Sequence, residues 1–183
     1  MSDIVRLTLV SHAMTDAMAA GRFAADEPLN ALGYNQIDAA ADIGPVDVAL
    51  SGPEVRARQT AEGFGLNPTV DGRLADLDVG RWRGCQLSDP PPADLATWLS
   101  RPDGAPHGGE SVEALIARVG DWMDDISGTP VRLAAVTHPA VVRAAILVAL
   151  DAPPESFWRI DIAPASRTLM HFRGRWTVRW GQR

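Results

Sequence analysis

The sequence predicts an α/β fold, a three-layer sandwich on a mainly parallel central sheet, and three observations predict it. Short apolar runs alternate with segments of helical spacing along the chain. Two of those runs, "VRLTLV" (5–10) and "VRLAAVT" (131–137), are rich in β-branched or apolar residues and lead straight into polar ones. The chain has 183 residues, 46% of them hydrophobic, enough to bury one substantial core. Continuous apolar runs that stop at a polar residue are the mark of strands covered on both faces, and strands separated by helices pair in parallel through right-handed crossovers. A single domain over residues 1–183 is expected, because no repeat, low-complexity tract or linker divides the chain.

In chain order, the strand at 5–10 is followed by "ALGYNQIDAAADI" (31–43), which has helical spacing, and by a second strand, "VDVAL" (46–50). "EVRARQTAEGFG" (54–65) is the next helix, and "LADLDVGRWRG" (74–84) is a tight loop in which Gly80 and Gly84 permit sharp turns. The Pro- and Gly-rich stretch 89–109 reads as a partly helical excursion over the surface. The helix at 111–126 has a Ser111 start and one apolar stripe of Val112, Leu115, Ile116, Val119, Trp122, Met123 and Ile126, which is core. After the strand at 131–137, "PAVVRAAILVAL" (139–150) is a nearly all-apolar helix that begins with Pro139, where a proline fits best. Residues 166–180 read as a hairpin turning at Arg173 and Gly174.

Composition narrows the function classes. A net charge of −6 argues against a nucleic-acid partner, which needs a basic face. No run approaches the ~18 apolar residues of a membrane span, and "MSDIVRL" lacks the features of a secretory signal, so a cytoplasmic protein without a membrane partner is expected. The single cysteine, Cys85, allows no internal disulfide and no cysteine cage for a metal. The arginine-rich end (Arg167, Arg173, Arg175, Arg179, Arg183) suits an edge strand protected by charge or a contact in a homodimer.

Two histidines share an address in this layout. His12 and His138 each follow a parallel strand directly, in "LTLVSH" and "LAAVTH", and ligands of open parallel sheets bind beyond the carboxyl ends of the strands. The strand at 46–50 runs into a helix with Arg56 on its first turn, and the 74–84 loop brings Asp76 and Asp78. These segments resemble the histidine phosphatase (phosphoglycerate mutase-like) superfamily. Ser11, His12, Ala13 and Thr15 lie in the frame of its Arg-His-Gly-x-Thr opening. "LNALGYNQ" (29–36) is similar to its Leu-Thr-x-x-Gly-x-x-Gln segment, and "SGPEVRARQTA" (51–61) to its Ser-x-x-x-x-Arg-Ala-x-Gln-Thr-Ala helix. "LADLDVGRWRG", "PHGGES" (106–111) and "VTHPAVVRA" (136–144) match its later motifs in order, so the likeness runs from residue 5 to about 145.

The resemblance implies hydrolysis of a small phosphate monoester through a phosphohistidine. His12 would be the nucleophile, Arg56 and His138 the clamp on the phosphoryl oxygens, Asp76 the proton donor and Asp78 structural. No metal or other cofactor is expected, and the partner is a small phosphorylated or anionic molecule. Ser11, left to bind phosphate through one hydroxyl, replaces the first arginine of the family motif. Met18 stands where an asparagine is frequent, Pro139 where glycine is usual, and Asp76 where glutamate is usual. Arg22, Arg81, Arg83 and Arg143 are candidates to supply the missing charge. The alternative reading is a repurposed relative that binds a ligand, or does non-phosphoryl acid–base chemistry, in the same cleft. His107 and His171 are expected at the surface or an edge, with His107 a candidate for the cleft mouth. Trp82 and Trp98 are expected to pack, with a further option of shaping that mouth.

Overall fold

The first strand, β1 (Val5–Ser11), carries apolar residues on both faces, and the sheet is accordingly covered on both. Val5, Leu7 and Leu9 enter the larger core, while Val10 points the other way and meets Ala61 and Val136. The computed structural model describes residues 4–40, 42–129 and 131–180. Among them the sheet contains β2 (Val48–Ser51), β3 (Thr69–Val70), β4 (Arg132–Thr137), β5 (Arg167–Phe172) and β6 (Trp176–Arg179), in the order β3-β2-β4-β1-β5-β6. β1, β2, β3 and β4 are parallel; β5 and β6 form the expected antiparallel hairpin, turning through Gly174 at φ 77°.

The helices are α1 (Asp16–Ala19), α2 (Ala31–Ala39), α3 (Val55–Gly63), α4 (Pro92–Ser100), α5 (Val112–Ser127) and α6 (Pro139–Leu150). The α5 stripe buries Val112, Leu115, Val119, Trp122 and Met123 against α6 and one sheet face, and Ser111 caps the helix by accepting from the Ala114 N–H. Apolar nearly all round, α6 is buried along most of its length. The opposite face is covered by α2 and α3, which completes the three layers. No helix among the described residues is long and apolar enough to cross a membrane.

Several boundaries move. α2 stops at Ala39 rather than 43: Ala40 is extended, and Ile43 is drawn beside Val10 and Val136 instead of continuing a helical face. β2 runs over 48–51 rather than 46–50, in register with Leu133 through Val136. Two exposed residues, held only by pairing with Leu50 and Ser51, make up β3, and α1 is a single turn; neither is long enough to show a period. The 89–109 excursion is partly helical as α4, with Pro92 in its first turn. Arg183 lies outside the described residues.

That excursion is fastened to the 74–84 loop by backbone contact. Arg81 N–H donates to the His107 carbonyl at 3.1 Å, and Glu110 N–H to the Asp78 carbonyl at 2.8 Å. Gly80 and Gly109 sit where the two turns touch, and a Cβ on Gly109 would collide with the Asp78 carbonyl. Gly109→Ala should therefore lower the unfolding free energy by about 1–3 kcal/mol, the usual cost of overpacking, read as a fall in the urea midpoint. An unchanged midpoint would show that the turns part freely.

Candidate active site

Ser11 of β1 stands opposite Thr137 of β4, so the next residue of each strand leaves the sheet at the same level. His12 N–H donates to the Thr137 carbonyl at 2.8 Å, and the rings of His12 and His138 lie 5.2 Å apart, edge to face. His138 is the N-cap of α6, whose first residue is Pro139. Three contacts hold the His12 turn. Thr60 Oγ1 accepts from Ala13 N–H at 3.0 Å and donates to the Arg56 carbonyl at 2.7 Å. From the loop before β5, Ala165 donates its N–H to the His12 carbonyl at 3.2 Å, in a left-handed conformation (φ 56°) that non-glycine residues seldom adopt.

The imidazole of His12 has a defined tautomer. Nδ1 lies 2.8 Å from the Ala13 carbonyl, which can only accept, so Nδ1 carries the hydrogen and Nε2 a free lone pair. His12 lines a cavity of about 420 Å³ at the carboxyl ends of the strands.

Beside it, Asp76, Arg56, Glu54 and His138 form an ionic knot. Arg56, fully buried on α3, donates one terminal nitrogen to Asp76 Oδ2 and the other to the Ala25 carbonyl, each at 2.7 Å. Its Nε is buried without a partner. His138 Nε2 meets Glu54 Oε2 at 2.7 Å, while its Nδ1 lies 3.4 Å from Asp76 Oδ2 and makes no hydrogen bond. Glu54 occupies the N-cap position of α3 yet caps nothing there; its carboxylate also accepts from the Asp76 N–H at 3.0 Å. Arg118 of α5, paired with Glu110, donates to the carbonyls of Arg73 and Ala75 and so fixes the loop that carries Asp76.

Of the residues singled out from sequence, His12, Arg56 and Asp76 line the cavity, whereas His138 lies behind Asp76 and is fully buried. Ser11 is also fully buried, its hydroxyl unpartnered, and it is not part of the cavity wall. Met18 and Pro139 are in the wall, as are Arg22, Arg83 and Arg143. Arg81 is not; it is tied to the Pro106 carbonyl and lies 3.7 Å from Asp94.

His107 departs from the surface or edge position expected of it. It is 1% exposed, packed against Trp82 and Trp98, because the 107–109 turn is drawn in against Gly80. Trp98 reaches the cavity wall, and Trp82 packs beneath it against Phe23. His171 is on β5, bonded to Arg179 at 3.3 Å and away from the cavity. Glu54, Thr60 and Arg118 escaped the sequence reading; Glu54 looks like an ordinary acidic helix start, and only the fold sets it against His138. Among the described residues no cluster of three or more His, Cys, Asp or Glu side chains is arranged to hold a metal ion.

The charges fall into a clear pattern. Burial first, then His138 and the Arg56 guanidinium, lowers the His12 pKa from 6.5 to about 3, so the ring is neutral near pH 7. Burial pushes the Asp76 carboxyl up, but attraction to His138, Arg56 and His12 outweighs it and holds the group at about 2. Burial likewise raises Glu54, and its hydrogen bond and attraction to His138 bring it down to about 2.

All three shifts have the same consequence for folding. The unfolded chain takes up protons at pH values where the folded site does not, so stability falls with falling pH, first through the His12 window from 6.5 toward 3. Between pH 7.5 and pH 5, His12 alone should cost about 2 kcal/mol. His12→Asn should therefore lose less stability over that interval than the wild type in urea unfolding. Equal losses would contradict the neutral, desolvated His12.

Known proteins share this architecture. Glucosyl-3-phosphoglycerate phosphatase of Mycobacterium tuberculosis is 29% identical over an alignment spanning 96% of this chain and 91% of the relative. The structure of the mycobacterial glucosyl-3-phosphoglycerate phosphatase complexed with VO3 superposes with a TM-score of 0.81 at 28% identity, covering 96% of this chain and 97% of that one. A phosphoglycerate mutase from Thermus thermophilus superposes with a TM-score of 0.75 at 28% identity, covering 90% of this chain and 92% of that one. The histidine phosphatase superfamily (branch 1) pattern matches residues 7–181, and the chain belongs to that superfamily.

Proposed function

We propose that this protein hydrolyses a small phosphate monoester through a phosphohistidine at His12. One observation carries the reading: a neutral histidine, its Nδ1–H committed to the Ala13 carbonyl, lines the cavity beside the buried cation of Arg56. The Nε2 lone pair attacks phosphorus and the P–O bond to the alcohol breaks. The departing oxygen takes a proton from the Asp76 carboxyl. Water then attacks phosphorus, gives its proton to the Asp76 carboxylate, and the P–N bond breaks to release inorganic phosphate and free His12.

The resting state explains how Asp76 comes to hold that proton. Its carboxylate takes one terminal nitrogen of Arg56, the other being held by the Ala25 carbonyl, and lies 3.4 Å from His138 Nδ1, so it covers the two groups that an incoming phosphoryl dianion requires. The dianion displaces it. Deprived of its cations and set beside a like charge, the carboxyl rises from about 2 toward neutrality and takes up a proton, which makes it the acid for the departing alcohol. Arg56 and His138 then bear on the phosphoryl oxygens, with Arg22 and Arg83 adding positive potential from the cavity wall.

A second reading, an anion-binding relative without turnover, rests on the same knot, since Glu54 and Asp76 place two ionised carboxylates next to Arg56 and His138. Acid quench during turnover of a labelled aryl phosphate separates the two. The phosphatase reading expects phosphate on the wild-type chain and none on His12→Ala, with turnover reduced to background. Equal turnover by the two proteins would overturn it, and binding without turnover by both would favour the second reading. Glucosyl-3-phosphoglycerate, the ester named for the mycobacterial relative, is the natural first substrate.

A further inference from the structure

A second cavity, of about 250 Å³, opens on the sheet face turned away from the larger core. Successive residues of a strand point to opposite faces, so while Val5, Leu7 and Leu9 of β1 enter that core, Arg6 and Thr8 face the other way. The α2 and α3 side of the fold covers this second face only toward Val10 and Val136. Beyond that cover, four neighbouring strands turn side chains into the cavity wall: Arg132 of β4, Arg6 and Thr8 of β1, Leu169 and His171 of β5, and Arg179 of β6. Arg6 precedes His12 by six residues, so at ~3.3 Å per residue the cavity lies about 20 Å from the active site, at the other end of β1.

The strand register sets cations side by side there. Arg6 stands between Arg132 and His171, its partners on β4 and β5, and Arg179 lies diagonal to His171 across the hairpin, where its direct partner is Leu169. Like charges opposite one another are destabilising unless something offsets them. Asp47 does so for Arg132, whose Nε donates to its carboxylate at 2.9 Å. Among the described residues no carboxylate pairs with Arg6 or Arg179, and none lines the cavity. In a chain of net charge −6, two uncompensated guanidiniums therefore share one hollow. His171 lies beside both. Arg179 can only donate, and its terminal nitrogen reaches His171 Nδ1 at 3.3 Å, so the ring is the neutral tautomer with its hydrogen on Nε2. Burial first, then Arg179, Arg6 and Arg173, lowers the pKa of that ring, the sign of a local positive potential.

We propose that this cavity is an anion site separate from the one at His12 and takes a free phosphate dianion, held between the Arg6 and Arg179 guanidiniums with the Thr8 hydroxyl and His171 Nε2–H as neutral donors. Two cations match a dianion, and donors carried on three strands suit the tetrahedral oxygens of phosphate better than the planar pair of a carboxylate. The volume of about 250 Å³ equals about eight waters at ~30 Å³ each, room for the ion with part of its hydration shell. The site does not depend on the chemistry proposed for His12; under that chemistry, the ion it binds is the product.

Sulfate, a dianion that takes up no proton near neutrality, is the first probe, and the His171 ring resonances, identified by their loss in His171→Gln, are the readout. The ring is titrated by NMR at constant ionic strength while sulfate replaces chloride in steps. Bound sulfate should raise the His171 pKa by about one unit and the effect should saturate, as expected of an opposite charge a few ångströms away. Arg6→Gln and Arg179→Gln, both at exposed positions, should each raise the pKa of the ring without sulfate, by removing a like charge, and should weaken the saturable response at least several-fold. Inorganic phosphate should produce the same saturable shift. The response should persist in His12→Ala, so a failure of turnover counts against the phosphatase reading alone. No shift beyond the chloride baseline, a shift that never saturates, a saturable shift that survives both arginine substitutions, or no response to inorganic phosphate overturns the proposal.

Discussion

Six residue pairs hold β1 and β4 in parallel register, from Arg6 and Arg132 at one end to Ser11 and Thr137 at the other, so both strands leave the sheet at the same level. The chemistry is built on that exit. A slip of one residue between them would turn one strand's core face outward and separate the two histidines. The register is held by burial on both sides: Leu7 with Leu133 and Leu9 with Ala135 beneath α5 and α6, Val10 with Val136 beneath α3. Core packing and active-site geometry therefore rest on the same pairing, and stabilising one preserves the other.

What the sheet places, the loops charge. His12 is neutral because burial, then His138 and Arg56, deny it a proton, and its tautomer is decided by the Ala13 carbonyl. At rest, Arg56 is paired with Asp76, and Glu54 and Asp76 face the two ring nitrogens of His138. Such pairing lets the site hold the buried Arg56 guanidinium without a ligand and, in the proposed mechanism, exchange one anion for another when a phosphoryl group arrives. In the proposed exchange Glu54 stays with His138 and keeps the imidazole oriented while Asp76 moves. The aromatic layer of Trp82, Trp98 and His107 beneath the cavity, pinned by the contact of Gly80 with Gly109, gives these side chains a rigid floor.

The α/β layout, the strand ends bearing His12 and His138, and the helix bearing Arg56 were legible in the sequence because each is marked locally, by a run, a period or a motif. The shortest pieces were not. β3 and α1 are too brief to show periodicity, and Ile43 left a helical pattern because a cluster elsewhere in the chain offered it burial. Glu54 and Arg118 act on residues 84 and 42 to 45 positions away, distances at which spacing carries no signal. His107 reads as a polar residue in a Pro- and Gly-rich loop, and only the close approach of two glycines explains why it is buried. Ser11, prominent as a departure from the family motif, is sealed beneath the surface, and Arg22, Arg83 and Arg143 line the cavity in addition to Arg56.

We propose that Asp76 covers Arg56 and the Nδ1 of His138 at rest and gains a proton when an anion takes its place. Sulfate is a dianion with no titrating proton of its own near neutrality, so its binding reports the protein's protons alone. Calorimetric titration of sulfate at pH 6, in buffers of differing ionisation enthalpy, should show net proton uptake by the wild-type chain and clearly less by Asp76→Asn. Binding without proton uptake, or uptake that is the same in Asp76→Asn, would contradict the account.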